Sequence, residues 1–121
     1  MREAMVGPED VHRLVHAFYE RVRDDDLLGP VFEARLSTDW DHHLDRMVAF
    51  WSGVLLSRPG FRGDPVGVHR AIPGLGPGHF DRWLELFGAT LDDVVPGPAA
   101  ADILARARRM RVVLEGPTAV G

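Results

Sequence analysis

Apolar residues return every three or four positions along four long stretches of this chain, the spacing of helices with one buried face. The first stretch runs from Pro8 to about Arg23 and sets Val11, Leu14, Val15, Phe18 and Val22 together. Tyr19 falls at the edge of that face, with His12 and His16 further round. Asp24-Asp25-Asp26 opposes the negative C-terminal end of the helix dipole and ends the helix. Leu27-Leu28-Gly29 reads as a turn, and Pro30 begins a short helical piece carrying Val31, Phe32 and Leu36. The next helix is capped by Ser37 or Thr38 and closed by Pro59-Gly60. Trp40, Leu44, Met47, Trp51, Val54 and Leu55 form its apolar band, with Phe50 at one margin. The angular positions separate two adjacent histidines: His43 falls on the buried side, and His42 points nearly the opposite way. Arg46 sits just outside the band, beside His43.

Between this helix and the next lies Asp64 to Pro73, long enough for one or two turns. Asp64 suits an N-cap, Pro65 the first helical position, and Pro73 stops the helix by forcing Ile72 towards an extended conformation. His69 stands near the middle. The third long helix begins near Gly78 and runs to about Val95, with Phe80, Trp83, Leu84, Phe87, Leu91 and Val94 as its stripe. Pro96-Gly97-Pro98 breaks it. The last, roughly Ala99 to Glu115, buries Ile103, Leu104, Ala107, Met110 and Leu114 before Gly116-Pro117. No stretch sustains a period of two, so the fold class is all-α.

A length of 121 residues makes residues 1–121 a single domain large enough for a real core. Eighteen acidic against fourteen basic residues give a net charge of −4 with no basic cluster, which argues against nucleic acid or an anionic membrane as partner. The absence of cysteine excludes disulfides, thiolate metal sites and cysteine nucleophiles. No leader-like apolar segment opens the chain, and no apolar run approaches the ~18 residues of a membrane span. The cytoplasm is the expected compartment.

Histidine pairs invite a metal reading. His12 and His16 share a helix face, and Glu9-x-x-His12 is half of a di-iron bundle motif. The nearest second half, Asp39-x-x-His42, turns its histidine away from the core. A solvated flank therefore accounts for the pair better. No Gly-x-Ser-x-Gly is present, and the Gly/Pro-rich stretch from Gly74 to Gly78 follows no strand and lacks a Lys-Ser/Thr ending.

One pattern is less ordinary. Tyr19, His43 and Trp83 come from three helices, each in or beside its apolar face, and each has a polar hydrogen that needs a partner when buried. His69 faces them from its own short segment. An imidazole set against a partly apolar pocket with further donors meets the needs of a haem site.

At these positions the chain resembles the truncated haemoglobins, most closely group III. The likeness is carried by Ala17-Phe18-Tyr19-Glu20-Arg21-Val22-Arg23 and by Leu28-Gly29-Pro30-Val31-Phe32. It continues through Trp40-x-x-His43, Phe50-Trp51-x-x-Val54-Leu55, Gly63-x-Pro65, His69 and Phe80-x-x-Trp83-Leu84-x-Leu86-Phe87. The last helix matches only in character. The paired glycines of groups I and II at helix joints are missing.

The resemblance implies a truncated globin, a two-on-two helical sandwich around haem b (iron protoporphyrin IX). It makes His69 the proximal iron ligand of a pentacoordinate haem. Tyr19, Trp83 and His43 become the distal residues that meet bound ligand. Phe32, Met47 and Phe50 wall the haem, and Arg46, with Arg70 a weaker candidate, meets a propionate. The implied function is binding of O2, and of NO and CO, for scavenging, sensing or redox chemistry rather than bulk transport. Two alternatives stay open. One is a haem enzyme, an NO dioxygenase or peroxidase-like protein served by an external reductase. The other is a non-haem helical binding module or di-iron bundle.

Overall fold

Helix α1 (Pro8–Asp24) is the member against which the others assemble, packing on α2 (Leu28–Leu36), α3 (Trp40–Leu56) and α4 (Pro77–Val94). Helix α5 (Gly97–Glu115) packs on α4. The computed structural model describes residues 6–58, 69, 75–95 and 97–115, and every element among them is a helix. Of the Asp64–Pro73 segment, only His69 falls among the described residues; its backbone is helical. Among the described residues no helix is long and apolar enough to cross a membrane.

The expected face of α1 is the core. Val11, Leu14, Val15, Phe18 and Val22 are all buried, and they meet Trp51, Phe87, Leu91, Ile103 and Ala107 from the other helices. Pro8 stands at the first helical position, where its missing N–H costs nothing. The Asp10 carboxylate accepts the Gly7 N–H at 2.9 Å and fastens that end.

The link from α1 to α2 departs from the turn expected at Leu27-Leu28-Gly29, because α2 already starts at Leu28. Asp25 explains this. Its carboxylate reaches forward and accepts the N–H groups of Leu27 and Leu28 at 3.1 and 2.9 Å, so it starts one helix just after another has ended. Gly29 lets the two helices meet: a Cβ there would lie 2.9 Å from the carbonyl oxygen of Arg23. Neither Ser37 nor Thr38 caps α3. Its N-cap is Asp39, which makes no side-chain cap bond. The helix stops at Leu56, ahead of Pro59, on Ser57 in the left-handed region (φ 57°). At the far end, Pro96-Gly97-Pro98 is less of a gap than expected, since α5 begins at Gly97 itself, whose φ of 25° suits glycine.

Helix α3 is buried less completely than its band suggests. Trp40 and Trp51 are buried, whereas Leu44, Met47, Phe50, Val54 and Leu55 are only half-buried. Part of that face looks into a cavity.

Asp25 is also tied to α4. Its side chain is 5% exposed and accepts the Arg82 Nε–H at 2.7 Å. Burial alone would raise its pKa. The hydrogen bonds from Leu28, Arg82 and Leu27, with the Arg82 charge, outweigh burial and hold the carboxyl below its ordinary 3.8. A depressed folded-state pKa gives stability that is complete above the unfolded value and lost as pH falls through the folded one. Asp25→Asn should therefore destabilise the fold by about 1.5–3 kcal/mol at neutral pH, the usual range for hydrogen bonds to a charged group. The gap from wild type in urea melts should close below pH 3.8. A gap independent of pH would contradict this.

A candidate haem pocket lined by Tyr19, His43, Trp83 and His69

Phe18 and Tyr19 are neighbours on α1 and so point about 100° apart. Phe18 enters the core, and Tyr19 turns into a cavity of about 360 Å³. Every helix contributes to its wall, as does His69. Tyr19, Phe32, His43, Arg46, Met47, Phe50, His69 and Trp83, which the sequence singles out, all line it. Arg70 lies outside the described residues.

Aromatic packing fixes the donors. Trp83 stacks on Phe87 (4.9 Å between ring centroids, 16°), and Phe87 stacks on Trp51 (5.0 Å, 22°). Phe18 meets Trp83 and Phe87 edge to face at 5.1 and 5.2 Å. The indole therefore has little freedom to leave the cavity wall. On the other side, Tyr19 and His43 meet at right angles with centroids 4.9 Å apart. The half-buried His69 ring lies 6.4 Å from Phe80.

Electrostatics sharpen the roles. Burial raises the Tyr19 pKa far above its ordinary value, so the phenol keeps its proton. Burial, then the charges of Arg46, His69 and His42, push His43 down to about 4. The ring is neutral near pH 7, and its buried Nε2 has no hydrogen-bond partner among the described residues. A buried polar atom left unpaired costs stability unless something else binds there.

His42 is exposed yet still borders the cavity, so the two histidines are less opposed than their angles suggest. Several lining residues carry no individual signal in the sequence. Arg35 lies along the α2–α3 side, and Leu75, His79 and Arg111 with α4 and α5; Asp39, singled out only for a di-iron motif, also lines the α2–α3 side. Met110 and Leu114 were legible as members of an apolar stripe; here they face the cavity. Arg111 spans α5 to α4, donating to the Asp81 carboxylate and the Pro77 carbonyl. The His12–His16 pair lies elsewhere. Its rings stack at 4.1 Å, and among the described residues no group of three metal-ligating side chains occurs.

A family model for bacterial-like globins matches residues 2–115. A curated group 3 truncated hemoglobin of Campylobacter jejuni is 32% identical over 111 residues, covering 89% of this chain and 87% of that protein. The crystal structure of a group III truncated hemoglobin from Campylobacter jejuni superposes with a TM-score of 0.84 at 32% identity, over 88% of this chain and 86% of that one. A truncated hemoglobin structure from Tetrahymena pyriformis, at 23% identity and 87% coverage of each chain, shares the fold with a TM-score of 0.72. The all-helical truncated-globin fold is thus the fold of this chain. The chain belongs to the bacterial-like globin family, as a truncated haemoglobin most like those of group III. Membership of that family implies haem binding.

A histidine whose pKa is depressed supports the fold fully above the unfolded value of 6.5 and loses that support as pH falls towards 4. Side-chain nitrogen NMR of the folded protein should show His43 neutral at pH 6 and half-protonated near pH 4. A midpoint at 6.5 or above would contradict its burial.

Proposed function

We propose that this chain binds haem b in the cavity and uses it to hold a small diatomic ligand, O2 first and NO or CO by the same means. The observation that carries this reading is the convergence of Tyr19, His43, Trp83 and His69 on one largely apolar cavity. The residues present fit the group. The walls are mostly carbon, an imidazole stands at His69, and the buried Nε2 of His43, without a hydrogen-bond partner among the described residues, is a polar atom at the same cavity. Haem supplies an iron centre that binds diatomic ligands and exchanges electrons.

His69 is the iron ligand in this reading. Phe32, Met47 and Phe50 pack on the ring system and keep water out. Arg46 is exposed at the cavity edge, where a guanidinium suits a carboxylate of the cofactor, and Arg70 is a weaker candidate for the same task. Tyr19 and Trp83 donate hydrogen bonds to the ligand, the phenol held protonated by its burial and the indole by its chemistry. His43 stays neutral, so it adds a polar contact without bringing a charge into the cavity.

Such donors slow ligand release, which suits scavenging, sensing or redox chemistry better than bulk carriage. One hydrogen bond contributes about 0.5–1.5 kcal/mol, so Tyr19→Phe should speed O2 dissociation by about two- to tenfold. An unchanged rate would sink the role given to Tyr19. His69→Ala should lose haem on gel filtration and regain it with added imidazole. Full haem retention by His69→Ala without added imidazole would remove that assignment.

A further inference from the structure

Trp40 is buried, 5% exposed, but it does not line the cavity. It touches three residues that do. Its ring lies edge-on to His43 (6.2 Å, 88°) and tilted against Tyr19 (6.2 Å, 62°), and it stacks on Phe32 (6.3 Å, 22°). Two polar contacts hold the indole. The Nε1–H donates to the Glu33 carboxylate at 3.1 Å, and the Arg23 guanidinium sits 4.5 Å above the ring. Glu33 belongs to α2, Arg23 to α1 and Trp40 to the first turn of α3, so one side chain joins three helices.

The place is where α3 most needs anchoring. Its N-cap, Asp39, makes no side-chain bond, and Ser37 in the preceding link has a φ of 44°, a strained value for a residue with a side chain. No side chain caps the start of the helix, and His43 lies only one turn further on. Freed from Trp40, the first turn can fray, and the His43 ring moves with it.

We infer that Glu33, Arg23 and Trp40 form a clamp that positions His43 and Tyr19 towards the ligand, with Trp40 acting through both. They are positioning residues, since none lines the cavity. This rests on the haem reading above. Trp40→Phe keeps the ring but removes the N–H, Glu33→Ala removes the acceptor, and Glu33→Gln restores one through its amide oxygen.

The test compares these variants with wild type as purified haem-bound proteins, reading the C–O stretch of the carbonyl adduct and the O2 dissociation rate. The C–O stretch reports the polarity facing the ligand and does not follow global stability. Trp40→Phe and Glu33→Ala should each broaden or split the band and raise O2 dissociation by about two- to fivefold, less than loss of a whole hydrogen bond. Glu33→Gln should return both towards wild type. A single unshifted band in Trp40→Phe and Glu33→Ala, even with a lower melting temperature, would overturn the inference and leave the haem reading intact. A wild-type protein that takes up no haem would remove that reading and the inference with it. If Trp40→Phe does not fold, the Glu33 pair, altered outside the core, still decides between the outcomes.

Discussion

The edge-to-face packing of Phe18 against Tyr19, Trp83 and Phe87 is the contact on which this structure turns. The positive edge of one ring meets the negative face of another, so the contact fixes angles as well as distances. Through it the core of α1 sets the orientation of α4, and Trp83 is held at the cavity wall. Because Tyr19 follows Phe18 directly, the same helix register that seals the core also places a phenol in the cavity. A slip of α1 by one residue that brought Tyr19 to the place of Phe18 would bring Glu20 to the place of Tyr19 and lose both contacts.

A cavity of about 360 Å³ is costly to keep open in a chain of 121 residues. Its lining atoms lack neighbours on one side and forfeit dispersion contacts. Met47, Phe50, Trp83 and Met110, all apolar or aromatic, are half-buried and border this cavity. A group that fills the cavity restores those contacts and stabilises the fold by binding only the native state. The buried Nε2 of His43, which has no hydrogen-bond partner among the described residues, adds a polar incentive to the same effect.

Much of this was legible in the sequence, and the exceptions have physical causes. Helical periodicity placed the core face of α1 and brought Tyr19, His43 and Trp83 to apolar margins, because those positions follow from an angle per residue. Asp25 was misread. An acidic run after a helix reads as a dipole clash, and the forward hydrogen bonds to Leu27 and Leu28 depend on a backbone turn that periodicity does not encode. Trp40 was legible as an apolar residue; its bond to Glu33 crosses the α2–α3 link and appears only in three dimensions. Arg111 reaches the cavity because α5 lies along α4, a tertiary relation with no local signature. His42 borders the cavity despite its angle, since the cavity edge extends beyond the buried face of α3.

We propose that the His69 imidazole and a set of neutral donors enclose a haem. Absorption spectra of the purified protein in its ferric, ferrous and CO-bound states decide this. The expected result is an intense Soret band, a five-coordinate ferrous spectrum set by the His69 imidazole, and a clean shift on adding CO. A ferrous spectrum that is six-coordinate before any ligand is added would place His43 on the iron and contradict its distal role. A protein that remains colourless after haem is supplied would contradict the account as a whole.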